Sequence, residues 1–528
     1  MVLFEWILAL LLGAILLAGL ARRSGLPYPA LLALTGAAAG FLPFAPEIEI
    51  EPELALALFV APVLLDSAFD TSPRDLRRNF VPLISLVLAA TLLTTAAVAF
   101  IGWKVGGLTV AAAIALGAIV APPDAAAATA ILNQLKPPRS LMLILQGEGL
   151  LNDAIALLIY RLAVTAAVVG AGFASAAPWM VLAAVLSVPA GFVLARLYLR
   201  ATTQVTDPAS ATVLQFVSTF GVWLLAERVG LSAIVTMVVY AMTLAQSDVG
   251  RMPARTRVSS YSVWETVVFV LNVLAFVLMG LQARPILMRL PAAERIDALV
   301  LAGWVFLAVI SVRVLWVMLH HFVARLYPRF GGREPAMTDR RSALLMSWCG
   351  MRGLVTLATA FALPAELAGR DHIALSAFAV VLGTLVLQGL TLKPLMRALR
   401  LDADHGARHD ISHGRKAMLA AAIASLKHDA SGEADLVRRQ YQAAAAVAAS
   451  LEHPQAATDY DRLRLTAIVA EREVLRTLWR GGEIGDDAFR LLQEELDWSE
   501  LDAAPAGHFQ PLAIEGLHPA GPMQQEPP

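Results

Sequence analysis

QGEGLLNDAIAL, residues 146–157, lies inside a segment, Leu141 to Val169, that is otherwise apolar enough to cross a membrane. It carries two carboxylates, Glu148 and Asp153, with Asn152 beside the second. A charged side chain at the centre of a bilayer costs about 3 kcal/mol on insertion scales. Three polar groups so close together therefore mark a working segment rather than an inert span. Glu148 and Asn152 are four residues apart and share a helix face, while Asp153 points about 100° further round. Such divergence suits one carboxylate facing a cavity and another paired with an arginine.

The surrounding chain fits a polytopic membrane protein. Of its 528 residues 58% are hydrophobic and only 16% charged, with mean hydropathy +0.65. Lys+Arg of 41 against Asp+Glu of 42 gives no sign of a nucleic-acid partner. The single cysteine, Cys349, excludes an intrachain disulfide and a cysteine-based metal cage. Met1 to Leu20 has no basic residue ahead of its apolar stretch, and Arg22 and Arg23 follow it, so it reads as a retained first span.

At roughly 20 residues per crossing the apolar windows predict about thirteen transmembrane helices in an all-α fold. Alternate loops carry Arg22/Arg23, Arg74/Arg77/Arg78, Lys136/Arg139, Arg196/Arg200, Arg251/Arg255/Arg257 and Arg325/Arg329/Arg333. The loops between them carry Glu47/Glu49/Glu51/Glu53, Lys104, no charge around Gly170 to Pro178, and Glu227/Arg228. The positive-inside rule then places the N-terminus outside and the C-terminus in the cytoplasm. Only the loop with Arg284, Arg289 and Arg295 runs against this, diluted by Glu294 and Asp297.

Two spans read as broken. ALGAIVAPPDAAAATAIL has Pro122-Pro123 in mid-span, and SWCGMRGLVTLATAFALP has Gly350 and Gly353 bracketing Arg352. Proline removes backbone donors and disfavours helix at the residue before it. Irregular backbone at membrane depth survives only where protein buries it or where it lines a wet cavity. Interruptions at matching places in two halves point to an inverted-repeat transporter with its site at the breaks.

Residues 1–400 thus form the transmembrane domain. A cytoplasmic helical tail is expected over 401–502, with helices over Arg415 to Leu451, Asp459 to Trp479 and a final acidic-capped segment. The Pro/Gly-rich end, 503–528, is expected to be disordered. His405, His409 and His413 recur at helical spacing in the tail, and a solvated surface role is favoured over a metal site or pH sensor.

The intramembrane polar groups are Asp66, Asp124, Glu148, Asn152, Asp153, Arg313 and Arg352. A buried carboxylate reaches neutrality through a proton, a cation or a basic side chain. One that accepts a proton or Na⁺, but not both, is an exchanger in itself. Arg313 and Arg352 can neutralise two acids, leaving an excess of acid that argues for a cation site. Arg313 suits a structural or a functional role equally, Asn272 suits a helix–helix hydrogen bond, and Glu265 an interfacial position.

The ordered motifs GAIVAPPDAAAATAIL, LILQGEGLLNDAIALLIY, VVFVLNVLAFVLMGLQ, WCGMRGLVTLATAFALP and VLQGLTLKPLMRAL resemble the monovalent cation:proton antiporter superfamily. The likeness is to its electroneutral bacterial sodium/proton exchanger branch and covers roughly residues 5–400. It implies a homodimer, two broken helices that cross in a core domain, and elevator-like alternating access. By position Asp153 resembles the family's ion- and proton-binding aspartate and Asn152 its preceding asparagine. Asp124 resembles the acid of a Thr-Asp-Pro break, so Na⁺ is expected at Asp153 and Asp124. Glu148 and Arg352 resemble a structural ion pair, and Asp66 an acid that reaches the cation through water. Three positions depart from the pattern. Pro123 stands for the threonine, whose backbone carbonyl it still offers; Ala125 stands for the proline; Gly149 stands where some relatives have a serine ligand.

The resulting expectation is an electroneutral Na⁺/H⁺ antiporter of the bacterial inner membrane serving pH and sodium homeostasis. It needs no cofactor beyond the transported Na⁺ and H⁺, and it is not an enzyme. Exchange of K⁺ or other monovalent cations for H⁺ is the alternative within transport, and a gated cation channel or membrane sensor the alternative class. No GxxxxGK[ST] loop appears, which argues against a primary pump.

Overall fold

The computed structural model describes residues 2–24, 28–42, 51–71, 80–132, 139–170, 173–203, 205, 207–247, 254–326, 339–364, 366–400, 406–450 and 454–503. Every regular element among them is a helix. The chain separates into two compact units, Met1–Asp404 and His405–Pro528.

The first unit contains α1 (Val2–Ser24), α2 (Tyr28–Gly40), α3 (Pro52–Ala55), α4 (Ala61–Asp70), α5 (Phe80–Lys104), α6 (Val110–Val120), α7 (Ala125–Leu132) and α8 (Arg139–Val169). It continues through α9 (Phe173–Thr202), α10 (Pro208–Arg228), α11 (Ala233–Ser247), α12 (Ala254–Leu281), α13 (Ala283–Arg289) and α14 (Arg295–Leu326). The last three are α15 (Arg340–Trp348), α16 (Leu354–Phe361) and α17 (Arg370–Leu399). Among the described residues seven helices are long and apolar enough to cross a membrane, those centred on α5, α8, α9, α10, α12, α14 and α17. The other apolar windows coincide with shorter apolar helices and with the two interrupted pairs α6/α7 and α15/α16. Exposed apolar side chains such as Leu16, Trp179, Val193 and Leu315 stud the outside of this unit, as a lipid-facing surface requires.

Small residues set the closest helix contacts. A Cβ on Gly40 would lie 2.8 Å from the Leu281 carbonyl oxygen, and Cβ atoms on Gly36 and Gly280 would collide with the backbones of α12 and α2. These two helices therefore touch backbone to backbone, which side chains larger than hydrogen forbid. Between α3 and α4 the helix widens to a π-turn over Leu56–Val60. Pro62, just inside α4, has no N–H to continue the ordinary ladder, and the wider turn absorbs that gap.

In the second unit α18 (Gly406–Ser425), α19 (Gly432–Ser450), α20 (Pro454–Arg480) and α21 (Asp486–Ala503) are all helices. The stretch Arg415 to Leu451, expected to be helical, falls in two helices, α18 and α19. The Asp429 carboxylate accepts from the Ser431 N–H at 2.9 Å and the Ser431 hydroxyl from the Ala434 N–H at 3.2 Å, a local capping geometry that ends one helix and starts the next. Gly482, at φ +73°, turns α20 into α21, and Trp479 stacks on Phe489 with centroids 4.7 Å apart. Residues 504–528 and His405 lie outside the described residues, as do the loop charges Arg74, Arg77, Arg78 and Lys136.

Candidate cation-binding site

Both breaks fall where the prolines and glycines place them, at Ala121–Asp124 and Cys349–Gly353, and they meet. The Asp124 N–H donates to the Met351 carbonyl at 2.7 Å. One Asp124 carboxylate oxygen accepts from the Ala127 N–H and the other from the Leu354 N–H, each at 3.3 Å. A single side chain thus caps the first turns of α7 and α16, and the partial positive charge at both N-termini offsets its negative charge. A Cβ on Gly353 would collide with that carboxylate, so the glycine leaves the space in which Asp124 caps both helices.

Arg352 serves the opposite helix ends. Its Nε donates to the Val120 carbonyl at 2.7 Å, at the C-terminus of α6, and its Nη1 to the Gly350 carbonyl at 3.1 Å. Its backbone N–H donates to the Thr384 hydroxyl at 3.0 Å. A guanidinium against carbonyls at helix C-termini is the electrostatic complement of an aspartate at N-termini. The crossing carries both.

The expected Glu148–Arg352 pair is not formed. Glu148 instead accepts from both terminal nitrogens of Arg313, at 2.5 and 3.0 Å, and Arg313 also donates to the Met346 carbonyl at 3.2 Å. The reason is steric and electrostatic: Arg352 is committed to carbonyls, while Gly350 leaves the room that the Arg313 side chain fills, since a Cβ there would strike it. Asn152 extends this network. Its amide nitrogen donates to Glu148 at 3.4 Å and its amide oxygen accepts from the Thr91 hydroxyl at 2.8 Å. The chain Thr91–Asn152–Glu148–Arg313 thereby ties α5, α8 and α14 together in a buried, largely satisfied network.

Asp153 points elsewhere. With Asp124, Asp66 and Pro123 it lines a cavity of ≈ 260 Å³, from which Asn152 and Glu148 are absent. Gln146 and Gly149 lie on the same face of α8, and Asn272 of α12 joins them. No three described acidic, histidine or cysteine side chains converge closely enough to form a cage. A cation here would complete its shell with water and neutral oxygens, as a hard ion accepts. Gly149 has its own explanation, because a Cβ on it would lie 2.8 Å from the Ala125 Cβ. Two of the three departures from the family pattern, Gly149 and Ala125, are thus neighbours.

Sequence reasoning missed Thr91, whose role depends on a partner far away in the chain. It also missed Gln146, although its spacing of seven from Asp153 places it on the same helix face. Asn272 lines the cavity rather than serving a helix–helix hydrogen bond, and Glu265 is exposed.

Residues 7–398 match the family model for the sodium/hydrogen exchanger, transmembrane. The chain belongs to that family, one of transporters and not of enzymes. A sodium, potassium, lithium and rubidium/H⁺ antiporter of Bacillus pumilus is 30% identical over 426 residues, covering 76% of this chain and 62% of that protein. The chain therefore spans less than two thirds of that relative. An uncharacterized Na⁺/H⁺ exchanger of Mycobacterium tuberculosis is 28% identical over 526 residues, covering 95% and 96% of the two chains. The fold resembles that of the sodium proton antiporter MjNhaP1 from Methanocaldococcus jannaschii, with TM-score 0.57 at 20% identity over 75% of this chain and 98% of that one.

Proposed function

We propose that this chain is a secondary Na⁺/H⁺ antiporter in which Na⁺ and a proton compete for Asp153. The observation that carries the reading is the presence of Asp153, Asp124 and Asp66 in the wall of one cavity at the crossing of two broken helices. Asp124 is held at two helix N-termini and aids the cation from a fixed position, while Asp153 takes up or releases the exchanged ion. Asn152 is engaged by Thr91 and Glu148 and adds no titrating group. One proton for one Na⁺, an electrically silent exchange, follows. The positive loops support an N-terminus outside and a cytoplasmic tail in a bacterial inner membrane, the apolar windows and the paired breaks support about thirteen spans in inverted repeats, and the family resemblance supports a homodimeric assembly.

Everted vesicles with a pH-sensitive dye test this directly. Asp153→Asn is expected to abolish Na⁺-dependent proton movement, and retained exchange would overturn the mechanism. A membrane potential built during exchange in liposomes would overturn the one-for-one stoichiometry.

A broader cation range is the second reading, and the Gly149–Ala125 contact favours it. No side-chain hydroxyl fits at that point of the cavity wall, so water replaces a fixed ligand and tolerates ions of different radius. Comparing Na⁺, Li⁺, K⁺ and Rb⁺ in the same assay distinguishes the two.

A further inference from the structure

A second cavity, of ≈ 1250 Å³, lies at the other end of the same helices. On α8 the first cavity takes residues from Gln146 to Asp153, and the second takes residues from Leu157 to Thr165. Along the helix that ends in α4 the first takes Val60 to Ser67 and the second Leu56. On α16 the first takes Leu354 to Thr356, and the second begins just past its end, at Ala362. On all three helices the cavities are separated by only one or two turns, roughly 6–9 Å of helix rise. Leu157, Trp223 and Ile234 line the second cavity and are buried, and Leu157 is its lining residue nearest to Asp153 on α8, so the wall there is apolar.

A charged contact lies in the wall of the second cavity. The Arg161 guanidinium, on α8 two turns beyond Asp153, donates to the Glu227 carboxylate at the end of α10 at 2.9 Å. Both side chains are partly exposed, 39% and 21%, and both line this cavity. We infer that the second cavity is the opposite aqueous mouth of the transport route, and that the Arg161–Glu227 pair is the latch that keeps it sealed from Asp153. The inference rests on the antiport reading. Arg161 and Glu227 are positioning residues: they touch no transported ion, and they bias which mouth communicates with the site. For the second mouth to reach Asp153, α8 must shift against α10 and α11, and a pair fixed across α8 and α10 opposes that shift.

Two cysteine reporters test the inference in a Cys349→Ala background: Leu150→Cys in the first cavity wall and Leu157→Cys in the second. Sealed vesicles of known orientation are treated with a membrane-impermeant thiol reagent from one side or the other. The expected result is labelling of Leu150→Cys from one side and of Leu157→Cys from the other. Arg161→Gln or Glu227→Gln should raise opposite-side labelling of Leu150→Cys about two- to five-fold, the scale for a partly exposed pair. The charge-swapped double variant Arg161→Glu/Glu227→Arg should restore the original preference, and Arg161→Lys should largely keep it. Labelling of both reporters from the same side would overturn the two-mouth assignment. An unchanged preference in both neutralised variants would overturn the latch. Labelling needs no turnover, so failure of the antiport reading registers separately, as absent Na⁺-dependent proton movement by the native chain.

Discussion

The Glu148 carboxylate takes both of its strong hydrogen bonds from Arg313, which lies on a helix 165 residues further along the chain. Both side chains are almost wholly buried, at 1% and 3% exposure. Neutralising one partner leaves the other as an uncompensated charge in an apolar setting. Glu148→Gln or Arg313→Gln should each lower stability by about 3–5 kcal/mol. The volume-matched double replacement Glu148→Leu/Arg313→Met should cost clearly less than either single change. Thermal unfolding in detergent, followed by size-exclusion fluorescence, provides the comparison.

Asp124 separates capping from ion handling. Asparagine keeps one side-chain oxygen and so retains one of the two N–H contacts to Ala127 and Leu354. Asp124→Asn should therefore cost only about 1 kcal/mol of stability while removing cation-driven proton movement. If activity survived alongside normal folding, Asp124 would be a cap and nothing more.

The Gly149–Ala125 contact predicts a dependence between two positions. Gly149→Ser alone forces its Cβ against the Ala125 methyl, and overpacking of this kind costs about 1–3 kcal/mol. Ala125→Gly in the same chain should recover most of that loss. The double variant would also offer the cavity a hydroxyl and should narrow selectivity towards Na⁺ over K⁺, read as the ratio of half-maximal cation concentrations.

Outside the membrane, the N-cap of α10 should respond to acid. Hydrogen bonds from Ser210, its backbone N–H foremost and then its hydroxyl, hold the Asp207 carboxyl below its ordinary range. A lowered native value means that the cap's contribution is complete above the unfolded carboxylate range and is lost as pH falls through the native value. The protection factor of the Ser210 amide hydrogen, taken after correction for the intrinsic pH dependence of exchange, should accordingly fall on acidification in the native chain. Asp207→Asn keeps an acceptor and should flatten that pH dependence.

Much of this was legible in the sequence, for identifiable reasons. Pro122-Pro123 and the glycines around Arg352 announced both breaks because backbone chemistry is local. The divergence of Asp153 from Glu148 and Asn152 followed from helical geometry alone. Pairing was not legible, since Glu148 had two arginines of equal chemistry available. The choice turned on Gly350 opening space for Arg313 and on Val120 presenting a carbonyl to Arg352. The amides Gln146 and Asn272 were obscure for a related reason. A carboxamide on an apolar helix looks the same in sequence whether it meets another helix or a wet cavity.

The glycine seam between α2 and α12 has a bearing on how the chain is made. The short α2 is synthesised early, yet the backbone atoms that lie nearest its Gly36 and Gly40 belong to Val277 and Leu281. Until the ribosome has delivered that distant helix, α2 waits in the bilayer without the neighbour its contour was cut for. Final closure of the bundle is thus a late event in biogenesis. Nascent chains arrested before Ala254 should display Gly36 and Gly40 to lipid-phase crosslinkers, and longer ones should hide them.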